Sequence, residues 1–265
     1  MFFLRRKEQS TPQPYSTQKG RKRKAIAFVD YEHWYISMNR QFSLRPDIRG
    51  WRDMISENYD IISTTFFADF SNPALREEIP RLREVSSRLI DTQNPSQYHK
   101  KDFTDFIMLD SIYQSALSAG DTDTFIIFTG DGHFNSVVSF LRTNLGKEVV
   151  IYGVKDATSS LLKNSASSFT LLPSDAEIEF SIKRLIVRTV LELYSTRRNA
   201  RPTFMATADA ISKEHSLERD KVALLMNDLI SEGALFQIRK YMGRGKYIKL
   251  LRVNESIAKE KGFIG

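Results

Sequence analysis

Short apolar runs alternate with amphipathic segments from residue 25 to about residue 172 of the chain. The runs have the length and the Val, Ile and Phe content of strands that are buried on both faces of a sheet. They predict six strands, at residues 25–30, 61–68, 88–92, 124–129, 148–154 and 168–172. The intervening segments predict helices, at about residues 33–40, 50–58, 73–87, 103–119, 133–145 and 158–164. This alternation predicts a three-layer, Rossmann-like α/β domain with a parallel sheet between two layers of helices.

A different pattern follows Pro173, where the alternation of strands and helices stops. It predicts a long amphipathic helix at about 178–195 and shorter helices at 204–214 and 218–232. Two β-rich runs around Gly243-Arg244-Gly245 predict a hairpin. Three helices and a basic hairpin predict a small winged helix-turn-helix domain, although such domains also serve as protein-interaction modules. The predicted domains are a disordered basic tail at 1–24, the α/β domain at 25–173, the winged-helix-like domain at 178–252 and a C-terminal tail at 253–265.

Charge is divided unevenly among these regions, although the chain of 265 residues carries +7 as a whole. Residues 1–24 hold eight Lys and Arg residues against one Glu, which gives +7. Residues 25–180 carry −8 and residues 181–265 carry +8. Basic regions favour phosphate backbones because binding releases counterions, so we expect RNA, or alternatively DNA, as a partner. Solubility alone is the other interpretation of this charge.

The composition excludes several classes of site. The chain has no cysteine, which excludes disulfides, thiolate metal sites and a cysteine nucleophile. This composition suits a reducing compartment, and we expect a cytoplasmic protein. No apolar run approaches the roughly 18 residues of a membrane span. The apolar start at residues 1–4 is too short for a signal peptide. A homodimer is compatible with the sequence.

Two predicted strands lead into aspartates, and these two aspartates are the main candidates for metal binding and catalysis. Asp30 ends the first strand, and Asp131 follows the fourth strand, between Gly130 and Gly132. Functional crevices of open α/β sheets lie beyond the carboxyl ends of the strands, where the strand order reverses. Two carboxylates on either side of such a crevice would suit a hard divalent metal ion. The alternative is that each aspartate only caps the helix that follows it.

Further carboxylates and two histidines accompany this pair. Asp105 lies in the first turn of the fourth predicted helix, where the helix dipole alone would favour it. Asp110 is expected beside the apolar stripe of that helix, either as a ligand or in a buried pair. Asp69 ends the second strand and is either a ligand or the start of a turn. His33 and His133 each follow a candidate aspartate and are local hydrogen-bonding residues, phosphate contacts or proton shuttles.

These segments resemble the NYN domain family, a branch of the PIN-like metal-dependent ribonucleases. The resemblance covers about residues 24–173. It is carried by Val29-Asp30-Tyr31-Glu32-His33, by Lys101-Asp102-Phe103-Thr104-Asp105 leading to Asp110, and by Thr129-Gly130-Asp131-Gly132-His133-Phe134. Many members carry a winged-helix or related module after this domain, which agrees with residues 178–252.

The resemblance implies a PIN-like fold and an endoribonuclease that uses Mg²⁺ or Mn²⁺. It implies that catalysis and metal binding belong to the acidic positions Asp30, Asp105, Asp110 and Asp131, with Asp69 as a further ligand. It places four other residues against nucleic acid, namely His33, Lys101, Thr129 and His133. The family usually has Asn where this chain has His33, and a second Asp where it has His133.

Two alternatives to the ribonuclease stay open. The first is a catalytically inactive RNA- or DNA-binding adaptor, which the two histidine replacements favour. The second is another acidic-crevice α/β enzyme, such as a phosphatase with an aspartyl nucleophile. That class generally has a second Asp two residues after the first, where this chain has Glu32.

The C-terminal region offers its own candidates for nucleic-acid contact. In a winged helix, the third helix and the hairpin are the usual contact elements. That rule nominates six cations, which we expect to meet phosphates rather than bases: Arg219, Lys221, Arg239, Lys240, Arg244 and Lys246.

Overall fold

A computed structural model of the chain describes residues 21–93, 103–118, 120–196 and 201–265. Its first part is a sheet of six strands, namely β1 Arg23–Asp30, β2 Tyr59–Ala68, β3 Arg88–Asp91, β4 Thr124–Phe128, β5 Glu148–Val154 and β6 Ser168–Leu172. The strands lie in the order β3-β2-β1-β4-β5-β6, and all neighbours are parallel. The predicted parallel α/β sheet and its six strands are therefore confirmed.

Helices cover both faces of this sheet. One face carries α1 Tyr31–Phe42, α2 Ile48–Asn58, α3 Pro73–Arg76 and α4 Ile79–Arg83. The other carries α5 Phe103–Ser118, α6 Asn135–Ser139 and α7 Ser160–Ser165. A hydrophobic core lies on each face of the sheet. Successive residues of β1 pack in opposite cores, because successive side chains of a strand point to opposite faces. Val29 packs with the first core and Phe28 with the second. The three-layer arrangement follows from this alternation.

Two predicted helices differ from those observed. The helix expected at 73–87 is two short ones, α3 and α4. Pro80 lies at the start of α4 and has no backbone N–H. It therefore cannot donate the helical hydrogen bond to the carbonyl of Arg76, and the helix is interrupted. The helix expected at 133–145 is a 3-10 turn at Gly132–Phe134, then α6, then a π-helical turn at Phe140–Asn144.

The start of the sheet also differs from the prediction. Strand β1 begins at Arg23, inside the segment predicted as a disordered tail, and Lys24 pairs with Asp121 at 3.4 Å. Arg23 contacts Glu148 at 3.1 Å across the amino ends of the strands. Residues 1–20 of the predicted tail lie outside the described part of the chain.

Aromatic packing fixes α1 against the carboxyl ends of the central strands. The ring of Trp34 stacks on Phe128, the last residue of β4, with centroids 4.1 Å apart. At the start of the helix, the Tyr31 hydroxyl donates to Oε2 of the fully buried Glu78 at 2.7 Å. Arg45 and Arg81 pair with the same carboxylate. The residue just before α1, Asp30, is therefore held in a fixed position.

The second part of the chain contains three helices and a hairpin in the predicted order. They are α8 Asp175–Thr196, α9 Phe204–His215, α10 Arg219–Ser231, β7 Leu235–Tyr241 and β8 Tyr247–Val253. The predicted tail at 253–265 is wrong in part, because it contains α11 Glu255–Glu260, with Ala258 and Phe263 buried in the core of this region. Among the described residues, no helix has the length and apolar character needed to cross a membrane.

Candidate functional site

Strand order reverses between β1 and β4, and the candidate site lies at the carboxyl ends of these two strands. From β1 the chain continues to β2 on one side, whereas β4 continues to β5 on the other. Val29 is opposite Phe128 in the parallel pairing. Asp30 ends one strand and Asp131 follows the other, so both emerge at the same edge of the sheet. A reversal of this kind opens the crevice in which α/β proteins bind ligands.

Asp30 is a buried carboxylate at the start of α1. It is 5 % exposed, and its Oδ1 accepts a hydrogen bond from the backbone N–H of His33 at 2.9 Å. Burial raises the pKa of Asp30 to about 8, and the neighbouring charges of Asp105, Glu32 and Asp131 add to this rise. A carboxyl in such surroundings loses its proton readily only when a cation compensates its charge.

Asp131 stands in the turn after β4. Its backbone N–H donates to Thr129 Oγ1 at 3.2 Å, and its Oδ1 accepts from the backbone N–H of His133 at 2.8 Å. His133 Nδ1 lies 3.1 Å from the same Oδ1, and the imidazole is largely exposed. The turn thus presents a carboxylate and an imidazole side by side at the mouth of the crevice.

Asp105 brings a further carboxylate to this pair from the first turn of α5. One ligand atom each of Asp105, Asp131 and His133 lies within 4.8 Å of the others. Carboxylate oxygens suit Mg²⁺ and Mn²⁺, whereas imidazole nitrogen is a ligand of the transition metals. The donor set therefore fits one divalent cation, with the carboxyl of Asp30 close enough for its pKa to respond to both aspartates.

Glu32 is an additional carboxylate of the site whose position the sequence did not predict. Its Oε2 accepts a hydrogen bond from the backbone N–H of Asp69 at 3.2 Å, and its carboxylate also bonds the Thr104 side chain. Thr104 Oγ1 is 2.7 Å from Thr92 Oγ1. Burial raises the pKa of Glu32, and the charge of Asp69 adds to this rise. Glu32 therefore ties α1 to the end of β2 and to the start of α5, beside Asp105.

His33 is packed into the turn that carries Asp131. Its Nε2 is buried and has no hydrogen bond among the described residues. A Cβ atom added to Gly130 would lie 2.3 Å from this nitrogen and 2.2 Å from the carbonyl oxygen of Ala157. Burial lowers the pKa of His33, while the charge of Asp131 opposes this change. Burial thus disfavours the protonated imidazole, which packs against the backbone of Gly130.

Three of the predicted site residues lie elsewhere or have a different contact, and a fourth lies outside the described part of the chain. Asp110 is exposed and accepts from Gln114 Nε2 at 2.7 Å, so its expected place beside the buried stripe of α5 is wrong. Asp69 Oδ1 accepts from the backbone N–H of Ser71 at 2.9 Å, which is the turn contact named as its alternative. Thr129 is fully buried, so it positions Asp131 and cannot touch nucleic acid. Lys101 lies outside the described residues.

The predicted cations of the C-terminal region fall into two groups. On α10, Arg219 pairs with Asp209 and Lys221 is half-buried. On the hairpin and its turn, the side chains are exposed at Arg239, Lys240, Arg244 and Lys246. The hairpin is thus the more accessible basic element.

Comparisons with known proteins match the first part of the chain. A family model described as NYN domain matches residues 24–173, which is more than half of the chain. A crystal structure of a protein of unknown function from Vibrio parahaemolyticus is similar, with a TM-score of 0.52 and 24 % sequence identity. The match covers 60 % of this chain and 98 % of that one, and at this identity it shows a shared fold alone. No curated protein matches the chain.

Proposed function

Since the chain belongs to the NYN domain family, we propose that it is a metal-dependent endoribonuclease that cleaves RNA at the crevice of Asp30, Asp105 and Asp131. The family groups with nucleases, so a hydrolase acting on nucleic acid is the class that it supports. The observation that carries the proposal is the 4.8 Å cluster of Asp105, Asp131 and His133, next to the buried carboxyl of Asp30. Crowded carboxylates at a strand-order reversal are costly without a cation.

Each residue of the crevice has a distinct role in this proposal. Asp105 and Asp131 would hold a divalent cation with their oxygens, and His133 would complete the set with its imidazole nitrogen. Such a cation lowers the pKa of a bound water and offsets charge on a phosphate. Asp30 would orient that water or accept its proton, because its raised pKa suits a general base near neutral pH. Glu32 positions Asp105 through Thr104.

The mixed donor set bears on the choice of metal. Affinity of a nitrogen-containing site rises from the alkaline-earth ions toward the transition metals, which form stronger bonds with imidazole. The largely exposed His133 replaces the carboxylate that the family usually has. We therefore propose that Mn²⁺ supports cleavage better than Mg²⁺.

A cleavage assay on the purified protein tests the proposal. Structured and single-stranded RNA are incubated with Mn²⁺, with Mg²⁺ or with chelator, and the products are separated on a denaturing gel. Internal cleavage with Mn²⁺ that the chelator abolishes is the expected result. Equal cleavage in chelator would show a contaminating or metal-independent nuclease and would exclude the proposal.

A non-catalytic adaptor is the second candidate, and one contact favours it. His133 Nδ1 and the backbone N–H of His133 both lie at hydrogen-bond distance from Asp131 Oδ1, so that oxygen already has two neighbours. Calorimetric titration with Mn²⁺ separates the two functions. Binding at micromolar concentration supports the enzyme, whereas RNA binding without metal binding supports the adaptor.

We also propose that α8 to α10 and the hairpin form a winged-helix-like module that binds the RNA substrate. Residues 25–180 carry −8 and repel nucleic acid, whereas residues 181–265 carry +8. A double variant of the full chain, Arg244→Ala with Lys246→Ala, should lower the slope of log affinity against log salt by about one unit for each phosphate that it no longer neutralises. Arg188→Ala is the matched control, since Arg188 is an exposed cation on α8. An unchanged slope in the double variant would mean that the module binds protein.

A further inference from the structure

The hairpin β7–β8 ends in a pair of exposed tyrosines. Tyr241 and Tyr247 are opposite each other in the strand register, and they are 58 % and 65 % exposed. Their ring centroids are 5.2 Å apart, with the planes inclined at 54°. The Tyr241 hydroxyl accepts a hydrogen bond from the backbone N–H of Gly245 at 3.4 Å, which ties this ring to the turn. Two aromatic rings are thus held together in solvent instead of entering a core.

Basic residues flank this aromatic pair, and the hairpin contains no acidic residue. Residues 235–253 contain six Lys and Arg residues and neither Asp nor Glu. Arg239 and Lys249 are paired in register, two residues from the tyrosines and therefore on the same face of the hairpin. Like charges directly opposite each other destabilise a hairpin. The arrangement is therefore unfavourable until an anion lies between or beside them.

Several cations outside the hairpin, in contrast, pair with carboxylates of the same region. Lys183 pairs with Glu232 at 2.6 Å, and Arg219 pairs with Asp209. Among the described residues, no carboxylate pairs with Arg239 or with Lys249. No carboxylate of a described residue pairs with the turn residues Arg244 and Lys246 either. Charge at the hairpin tip is therefore available to a ligand.

The turn itself has an uncommon backbone. Gly243, Arg244 and Gly245 all have positive φ, at 89°, 52° and 73°. Glycine adopts this region freely, whereas a long side chain such as that of arginine does so rarely. Strained positions of this kind gather at functional sites. Arg244 is exposed at the tip of this turn, three residues along the chain from each tyrosine.

We propose that Tyr241 and Tyr247 stack on unpaired bases of single-stranded RNA, while Arg239, Lys249 and the turn cations contact its phosphates. Aromatic side chains with flanking cations bind single strands because every base has an exposed π-face on which to stack. In a duplex the base faces are covered by their neighbours, so the tyrosine pair selects against it. This inference rests on the proposed RNA-binding function of the module and adds the class of strand that it recognises.

Binding by the full-length protein in chelator tests the inference. Fluorescence anisotropy is measured with a labelled oligouridine of about 12 nucleotides and with a duplex of the same length. The double variant Tyr241→Leu with Tyr247→Leu should lose about tenfold in affinity for the single strand. Its affinity for the duplex and its salt slope should not change, since no cation is removed.

Two matched variants separate stacking from a structural effect. Tyr241→Phe with Tyr247→Phe keeps both rings and should bind like the parent. Phe236→Leu removes an exposed aromatic ring from the opposite face of β7 and should also bind like the parent. A strand carrying a fluorescent aminopurine base adds a direct readout, since stacking quenches its emission. The parent should quench it and the leucine variant should not.

Three outcomes would overturn the inference. They are single-strand affinity unchanged in the leucine variant, equal losses for single strand and duplex, and an equal loss in Phe236→Leu. Because binding is measured in chelator, failure to cleave RNA leaves this result standing. If the leucine variant cleaves RNA and binds it as the parent does, the stacking inference is rejected. The proposed ribonuclease function would then still stand.

Discussion

Asp30 and Asp131 make the same contact with the chain that follows them. In each, Oδ1 accepts a hydrogen bond from the backbone N–H of a histidine, His33 at 2.9 Å and His133 at 2.8 Å. Among the described residues, no hydrogen bond reaches Oδ2 of either aspartate. Capping and ligand binding are therefore compatible at these positions, because the cap uses Oδ1 and leaves Oδ2 for a ligand. The cap orients the carboxylate, and this orientation is what a preorganised site requires.

Asp30→Asn should stabilise the protein in the absence of metal. Asparagine caps a helix as well as aspartate does. The folded-state pKa of Asp30 is about 8, above its usual 3.8, so the folded state holds a proton that the unfolded state releases between these values. Stability of the parent therefore falls as pH rises through this window. We expect the variant to be more stable by about 2–4 kcal/mol at pH near 8, with the difference closing toward pH 4.

Thermal denaturation in chelator, followed by circular dichroism across this pH range, measures the effect. The same variant should show no metal-dependent cleavage. A melting temperature equal to that of the parent at high pH would mean that Asp30 is ionised in the fold without cost.

Asp131→Asn should abolish metal binding and cleavage while leaving the fold intact. It removes one of the clustered oxygens but keeps the amide-oxygen cap of the following turn. Asp110→Asn is the matched control, because Asp110 is exposed and contacts Gln114 instead of the crevice. Calorimetric titration with Mn²⁺ should show loss of binding in the first variant and parental binding in the second. Equal loss in both would place the cation nearer the middle of α5.

His133→Asp should change the metal preference of the site. A carboxylate replaces the imidazole beside Asp131, so the donor set becomes entirely oxygen and suits Mg²⁺ better. We expect the ratio of Mg²⁺-supported to Mn²⁺-supported cleavage to rise by about tenfold, which corresponds to about 1.4 kcal/mol of differential binding. Cleavage rates at the same subsaturating concentration of each metal test this. A variant that is inactive with both metals would argue that the imidazole itself is needed.

Glu78→Gln should destabilise the fold through its buried contacts with Tyr31, Arg45 and Arg81. Burial raises the pKa of Glu78, but hydrogen bonds from Tyr31 and Arg45 and the charge of Arg81 outweigh it, so its pKa lies below the usual value. Its contribution to stability is therefore present above about pH 4.5 and is lost as pH falls through the lowered folded-state pKa. We expect a loss of about 1–3 kcal/mol at neutral pH.

Urea denaturation at several pH values measures this loss. Glu84→Gln is the control, since its partner Arg49 is at 2.8 Å on the exposed surface and such pairs contribute less than about 1 kcal/mol. A loss in Glu78→Gln that does not depend on pH would assign it to packing instead of charge.

The strands could be predicted from the sequence because each is a short apolar run. Phe125-Ile126-Ile127-Phe128 is buried on both sides, so neither face interrupts the pattern. Which of Asp105 and Asp110 lies at the crevice could not be predicted in the same way. Asp110 was expected beside the apolar stripe of helix α5, but Phe106, one turn before it, is 66 % exposed. The buried stripe is Met108, Ile112 and Ala116 instead, so periodicity alone gave the wrong face.

Glu32 shows a different limit of sequence reasoning. Nothing in its local pattern distinguishes it from a solvated residue in the first turn of a helix. Its role comes from contacts with Asp69 and Thr104, which are 37 and 72 positions away along the chain. Contacts of this kind form only when the sheet and its helices are assembled, and no local signal would have found them.

Gly130 has a consequence that reaches beyond its own turn. Helix α1, through His33, and the loop after β5, through Ala157, both press against the space where its side chain would be. The space is too small for a methyl group, so α1, the turn of Asp131 and the loop after β5 pack together only around a glycine. Any side chain at position 130 would push His33 or Ala157 away, and a shift of α1 would move Asp30 away from Asp131. The spacing of the two aspartates therefore depends on a residue that has no side chain.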